Sequence, residues 1–166
     1  TRRPRHVHDD QPVAGGDLAR DAAAAVPDPE LPELTIKDLG ILRGVTIEGD
    51  VIEVTITQTY SGCPATPVIA EDVRAAVQRA GFANVRVRTV LSPAWNTGWI
   101  TPEGHRKLRE AGIAPPCGIA LQPSPLACPR CGSEDAELIS AFGSTPCKAL
   151  HRCLSCREPF EAFKCH

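Results

Sequence analysis

The stretch VIEVTITQTYSGCPATPVIAEDVRAAVQRAG, residues 51–81, contains a strand pattern, a turn with one cysteine and a helix pattern. Within the predicted strand of residues 51–59, Ile52, Val54 and Ile56 point to one side and the mainly polar residues between them to the other, which is the period of a half-buried strand. In residues 64–80 apolar side chains recur at helical spacing, and Gly81 suits the C-terminal cap. This stretch therefore predicts a strand that leads through a tight turn into a helix.

Further elements flank that stretch. Residues 43–47 predict a strand joined to it by an EGD hairpin turn, and residues 84–91 predict a third strand. Helices are expected over residues 17–26 and 101–111, each ended by a proline or a glycine. The order strand–strand–helix–strand with flanking helices makes a small two-layer α+β domain, which we place at residues 17–113.

The composition changes outside that domain. Residues 1–16 are polar and predict a disordered tail. Residues 114–127 are rich in proline and predict a linker, whereas residues 128–166 contain six of the eight cysteines. We therefore expect a second, cysteine-rich β module after the linker.

Two CxxC pairs predict a metal site in that module. Cys128 and Cys131 form the first pair, and Cys153 and Cys156 form the second after 21 intervening residues. Each pair can turn both sulfurs toward one ion, so that two pairs complete a tetrahedral zinc site of the ribbon type. An iron–sulfur cluster with the same four ligands is the alternative. A segment this short lacks a core of its own, so the metal should hold it folded.

Three cysteines and two tryptophans lie outside these patterns. Cys117, Cys147 and Cys165 are either buried thiols or additional members of a thiol pair. Trp95 and Trp99, in the loop SPAWNTGW, are either exposed anchors for a partner or side chains packed on the sheet. The sequence leaves both pairs of alternatives open.

Cys63 stands alone between the strand and the helix of the opening stretch. Pro64 fits the first helical position, which predicts Cys63 at the N-cap, where the helix dipole favours the thiolate form. Asp28 and Glu30 lie in a DPE turn stiffened by prolines, and we expect both carboxylates close to Cys63. The alternatives are a small buried cysteine and two carboxylates that only cap or face solvent.

Composition restricts the function. A net charge of −2 and 4% aromatic residues argue against nucleic-acid binding, and no apolar run approaches a membrane span. The protein is therefore expected in the cytoplasm, where CxxC pairs usually bind metal. Glu-x-x-His and nucleotide-binding motifs are not found in the sequence, so a catalyst acting on substrate is not predicted.

The motifs DPELP, LTIKDLGIL and TYSGCPAT resemble the metal–sulfur cluster biosynthesis family of iron–sulfur assembly factors. Together with LSPAWNTGWITPEGHRKLREAGIAPP, CPRCGS, FGSTPCKAL and CREPFEAFKCH, they resemble the D-component family of bacterial phenylacetyl-CoA epoxidase systems. The resemblance covers nearly all of residues 27–166 and implies an accessory protein for phenylacetate breakdown. It implies Asp28, Glu30 and Cys63 as the functional set, with iron or an iron–sulfur cluster bound transiently.

The partners implied by the resemblance are the oxygenase and reductase components and the iron–sulfur assembly machinery. A homodimer is left open. Two other hypotheses compete with assembly: a zinc-ribbon adaptor that only docks proteins, and a thiol–disulfide oxidoreductase. The oxidoreductase is disfavoured because the two CxxC pairs have ribbon spacing and no thioredoxin-like βαβ unit precedes them.

Overall fold

The computed structural model describes residues 14–116 and 125–165, which contain three α-helices and two β-sheets. The elements in chain order are α1 (Ala14–Ala24), β1 (Leu42–Glu48), β2 (Val51–Thr57), α2 (Thr66–Arg79), β3 (Asn84–Val90), α3 (Pro102–Glu110), β4 (Ile113–Ala114), β5 (Ala136–Ser140), β6 (Lys148–Cys153) and β7 (Pro159–Phe163). This mixed architecture confirms the predicted α+β class with a following β module.

The first sheet has the strand order β1-β2-β3. β1 and β2 form an antiparallel hairpin, and β3 lies parallel to β2 after the crossover through α2. The predicted alternation is observed, because one face of β2 is buried against the apolar side of α2. The buried residues of these two elements are Ile52, Val54, Ile56, Ile69, Val73 and Val77.

The second sheet has the order β4-β7-β6-β5 and links the cysteine-rich module to the first domain. β4 follows α3 directly and pairs in parallel with β7, so the boundary predicted at residue 113 falls inside this short strand. Phe163 of β7 belongs to the core of the first domain, and its ring centroid lies 6.1 Å from that of Trp95. These contacts between the modules were not predicted from the sequence.

The loop before α3 packs on the DLG turn of residues 38–40. Trp95 is 6% exposed and donates a hydrogen bond from Nε1 to the Leu39 carbonyl oxygen over 2.7 Å. Trp99 is half-buried and stacks under the Arg43 guanidinium at 3.7 Å. Gly40 has φ +69°, and a Cβ there would lie 2.5 Å from the Trp99 carbonyl oxygen, so this close packing requires glycine. Of the two alternatives for Trp95, internal packing is the one observed, because its indole is buried and hydrogen-bonded to the Leu39 carbonyl oxygen.

Most of the predicted N-terminal tail, residues 1–13, lies outside the described residues. The exception is its end, because α1 begins at Ala14 and not at residue 17. Gly15 and Gly16 continue the helix beside Phe82 and Ile47, and a Cβ at either glycine would lie in ordinary van der Waals contact with one or both of them. None of the helices in residues 14–116 and 125–165 combines the length and apolar content needed to cross a bilayer.

Candidate functional sites

The four ribbon cysteines converge as predicted. Cys128 and Cys131 come from the turn before β5, whereas Cys153 ends β6 and Cys156 lies in the next turn. Their sulfur atoms all lie within 4.8 Å of one another. The Cys128–Cys156 and Cys131–Cys153 sulfur pairs are 3.8 and 3.6 Å apart.

These distances fit a tetrahedral zinc site. With a metal–sulfur bond of about 2.3 Å, two sulfurs of a regular tetrahedron are about 3.8 Å apart, whereas a disulfide would need about 2.05 Å. The Cys156 backbone N–H also lies 3.5 Å from the Cys153 sulfur, and this hydrogen bond lowers the pKa of the Cys153 thiol to about 6. The Glu158 backbone hydrogen bond is outweighed at Cys156, where burial and the sulfurs of Cys153, Cys131 and Cys128 raise the pKa to about 12. A zinc ion would hold all four sulfurs as thiolates, because its charge offsets their mutual repulsion.

Cys63 lies in the turn before α2 but does not cap the helix. The N-cap residue is Ala65, and α2 begins at Thr66 with Pro67 in its first turn. Cys63 instead closes a turn in which its N–H donates to the Tyr60 carbonyl over 3.2 Å, and its own carbonyl accepts from Thr66. The predicted N-cap position is wrong because Pro67, and not Pro64, takes the early helical position that proline favours.

The DPE turn is closed by its own aspartate. One oxygen of Asp28 accepts hydrogen bonds from the backbone N–H groups of Glu30 and Leu31, over 2.8 and 2.9 Å. The Asp28 N–H donates to the Leu34 carbonyl, so the turn is held on both sides. Asp28 is 6% exposed and Glu30 is half-buried. One oxygen of Asp28 is thus used structurally, and its second oxygen can serve another purpose.

A narrow cleft brings the predicted functional set together. Asp28, Glu30 and Cys63 line it, as we expected from the sequence. The cleft also contains Cys147, which belongs to the ribbon module and was not predicted to lie there. Its remaining wall is mostly apolar and comes from both modules. The other lining residues are Leu31, Leu39, Ile41, Thr57, Gln58, Thr59, Thr66, Ile69 and Phe163.

The cleft is unfavourable for negative charge. Burial raises the pKa of Asp28 despite its two backbone hydrogen bonds. Burial and the neighbouring Asp28 carboxylate also raise the pKa of Glu30, although Lys148 opposes this. The Lys148 ammonium is itself buried and pairs with Glu161 at 2.7 Å, so its charge is shared with that carboxylate. A cation bound among these groups would relieve the repulsion.

Tyr60 lies next to this cleft. Its hydroxyl is enclosed and, among the described residues, has no partner in hydrogen-bonding geometry. Burial and the adjacent Cys63 thiol raise the pKa of Tyr60 to about 12. Tyr60 therefore stays neutral and can donate a hydrogen bond to a group that enters beside Cys63. Tyr60 was not predicted to belong to the site. The sequence signal that could have indicated it is its position in the cysteine turn, two residues before Gly62.

Of the three cysteines outside the ribbon site and the turn of Cys63, the two that the structure describes differ in their chemical state. Cys147 is a free, buried thiol whose sulfur lies 3.0 Å from the Thr145 hydroxyl. Cys165 is disulfide-bonded, which favours the pair alternative for this residue, whereas Cys147 is a free thiol and is therefore not its partner. Cys117 lies outside the described residues.

Comparison with known families identifies both modules. Residues 19–90 match the model of an iron–sulfur cluster assembly protein, and residues 114–164 match the PaaD zinc beta ribbon domain. The first match contains Asp28, Glu30 and Cys63, whereas the second contains all four ribbon cysteines and Cys147. The iron–sulfur assembly likeness and the ribbon expected from the sequence are therefore confirmed.

Individual relatives agree with that division. A crystal structure of a domain of unknown function, DUF59, from Bacillus anthracis has a TM-score of 0.53 and 26% identity, covering 57% of this chain and 92% of the other. An Fe-S protein maturation auxiliary factor from Porphyromonas gingivalis is 35% identical over 49% of this chain and 78% of its own length. An Escherichia coli K12 protein, provisionally named as the D component of 1,2-phenylacetyl-CoA epoxidase, is 52% identical over 84% of this chain and 87% of its own length. By that identity and coverage, the chain belongs to the D-component family of phenylacetyl-CoA epoxidase systems.

Proposed function

We propose that this protein is an accessory factor that assists the maturation of metal centres in a phenylacetyl-CoA epoxidase system. It handles iron or an iron–sulfur cluster as cargo and does not act on the organic substrate. The observation that carries this proposal is the shared cleft of Asp28, Glu30 and Cys63. The names of the Escherichia coli and Porphyromonas gingivalis relatives support the pathway and the maturation role.

The chemistry of the cleft suits cargo that must leave again. Cys63 offers a soft sulfur ligand, whereas Asp28 and Glu30 offer hard oxygen ligands. Within the described residues, only the ribbon cysteines form a group of three or more candidate ligands within 4.8 Å of one another. The cleft ligands are therefore not preassembled, which favours transient binding over a permanent metal site.

The ribbon has a different role in this proposal. Its four sulfurs hold zinc permanently and keep β5, β6 and β7 folded beside the first domain. The partners are the oxygenase and reductase components that receive metal, together with the iron–sulfur assembly machinery that supplies it. The protein is thus an accessory component and not a catalyst.

Complementation in cells tests the proposal. Cys63→Ser keeps the size of the side chain but removes the soft ligand, so we expect loss of growth on phenylacetate and iron-poor oxygenase and reductase components. The matched control is Ser61→Ala, an exposed change in the same turn, which should support normal growth. Normal growth and normal iron content with Cys63→Ser would overturn the proposal.

A second candidate is a docking adaptor that transfers no metal. It is favoured by three exposed apolar side chains on and after the edge strand β5, namely Leu138, Ile139 and Phe142. The adaptor hypothesis predicts that Ile139→Lys abolishes maturation while Cys63→Ser does not. The opposite result favours metal handling. Thiol–disulfide exchange has less support, because the spacing of the CxxC sulfurs fits zinc ligation.

A further inference from the structure

Cys147 is a second thiol in the cleft that contains Cys63. It immediately precedes β6, and its carbonyl oxygen accepts a hydrogen bond from the Lys164 N–H over 2.9 Å. Its side chain is 5% exposed and lines the same cleft as Cys63 and Glu30. The ribbon thereby adds a thiol to a cleft whose carboxylates come from the first domain.

The surroundings of Cys147 are unusual for a cysteine that only fills space. A buried cysteine commonly acts as a small apolar residue, but this one lines a cleft together with the Asp28 and Glu30 carboxyl groups. The Thr145 hydroxyl lies 3.0 Å from the Cys147 sulfur and fixes its direction. The four ribbon sulfurs form a complete tetrahedral set without Cys147, so zinc binding does not explain it.

We propose that Cys63 and Cys147 together hold a divalent transition-metal cargo, such as ferrous iron, as two thiolates, with Glu30 as an oxygen ligand. This inference rests on the proposed function and deepens it, because it makes the cargo site a joint product of both modules. Two thiolates with one carboxylate suit the borderline ions of the first transition row. Metal entry displaces the two thiol protons to solvent and leaves the oxidation state of the metal unchanged.

The cleft must close on its cargo. Among Asp28, Glu30, Cys63 and Cys147, no three donor atoms all lie within 4.8 Å. Side chains therefore move toward the ion when it binds and separate again when it leaves. The docking of the ribbon, through β4–β7 pairing and the Trp95–Phe163 contact, sets how near Cys147 can come to Cys63.

Cobalt is a suitable probe for this site. The full-length protein, with its ribbon already filled by zinc, is titrated anaerobically with Co²⁺, which neighbours Fe²⁺ in the divalent affinity series. We expect one additional cobalt with sulfur-to-cobalt absorption and no loss of zinc. Even an outer hydrogen-bond partner is worth about 10–100-fold in metal affinity, so Cys63→Ser and Cys147→Ser should each weaken cobalt binding by more than about tenfold. Ser61→Ala should bind like the wild type.

A second measurement uses only the wild-type protein, which avoids any folding defect in the Cys147 variant. Both thiols are buried, so the cobalt-free protein should be alkylated slowly at Cys63 and Cys147, and bound cobalt should protect both by slowing alkylation further, as measured by time-resolved peptide mass spectrometry. If Cys63 is protected and Cys147 is not, or if Cys147→Ser binds cobalt normally while Cys63→Ser does not, the two-thiolate site is wrong and the proposed function stands. If the protein binds no second cobalt, or if neither cysteine is protected, both are overturned. A Cys63–Cys147 disulfide that forms in place of metal binding would also overturn the inference.

Discussion

The two cysteine sites of this protein differ in how completely their ligands are assembled. In the ribbon, four sulfurs already have the spacing of a zinc tetrahedron, at 3.6 and 3.8 Å between paired atoms. In the cleft, two thiols and two carboxylates line one space, but no three of their donor atoms all lie within 4.8 Å of one another. A preassembled, all-sulfur site retains its metal, whereas an open, mixed site can release it. Under the proposed function, cysteine serves stability at the ribbon site and metal exchange at the cleft.

The largest expected effect follows from damage to the ribbon site. Structural zinc contributes roughly 10 kcal/mol or more of apparent binding free energy, so Cys153→Ser should unfold β5, β6 and β7. Trp95 fluorescence reports the loss, because Phe163 of β7 contacts its ring. Cys63→Ser is the matched control and should retain full zinc content. Retention of zinc and an unchanged Trp95 signal in Cys153→Ser would contradict a structural role for this site.

The contact between the modules should give the next largest effect. Phe163 is 3% exposed, so Phe163→Ala should lower the free energy of unfolding by about 3–5 kcal/mol, whereas Phe142→Ala, 67% exposed, should change it by about 0.5 kcal/mol or less. Thermal denaturation should show one transition for the wild-type protein. Two separate transitions would instead favour the independent modules that a proline-rich linker alone predicts.

A smaller effect is expected from the ion pair that ties α3 to the DLG turn. Lys107 Nζ lies 2.7 Å from Asp38, which also accepts a hydrogen bond from the Thr35 N–H. Lys107→Met should lower the free energy of unfolding by about 1–3 kcal/mol near neutral pH. Burial raises the pKa of Asp38, but the Lys107 and Thr35 hydrogen bonds outweigh it, so the folded-state pKa is lowered.

The lowered pKa of Asp38 determines how the stabilisation by the Lys107–Asp38 ion pair changes with pH. The stabilisation from ionised Asp38 is present above the unfolded pKa of 3.8 and is lost as the pH falls through the lower folded value. The difference in the free energy of unfolding between the wild type and Lys107→Met, measured by urea denaturation, should therefore shrink below about pH 4. If this difference in the free energy of unfolding stays constant down to pH 2, the ion pair does not cause it.

The smallest stability effect is expected at Asp28. Burial raises its folded-state pKa, so the ionised form lowers stability at pH 7. Asp28→Asn removes the charge but keeps an oxygen that can accept from Glu30 and Leu31 N–H groups. We expect the free energy of unfolding to be unchanged or raised by about 1 kcal/mol, together with weaker metal binding. A loss above about 2 kcal/mol would mean that the carboxylate is kept for the turn and not for cargo.

Local patterns predicted the elements and the ribbon well. The alternation in β2, the apolar face of α2 and the CxxC spacing are properties of neighbouring residues, so they are visible in one sequence. The cap of α2 was misplaced because residues 64–67 offer two prolines for the first turn, and the choice depends on the turn closed by Cys63.

Contacts between distant segments were not predictable in the same way. The β4–β7 pairing joins two strands separated by the linker, and Ile113–Ala114 is too short to show a strand period. The place of Cys147 in the cleft depends on that pairing and on the burial of Phe163. The choice between an exposed and a packed Trp95 could not be made from the sequence, because its acceptor, the Leu39 carbonyl, is distant along the chain.

Metal transfer in vitro tests the central claim most directly. The zinc-loaded protein is given one equivalent of ⁵⁷Fe²⁺ anaerobically, separated from free iron and mixed with metal-depleted oxygenase or reductase component. We predict that Mössbauer spectra will show ⁵⁷Fe reaching a component from the wild-type protein and from Ser61→Ala, but not from Cys63→Ser, although all three carry equal zinc. Equal iron delivery by Cys63→Ser and the wild type would contradict the account.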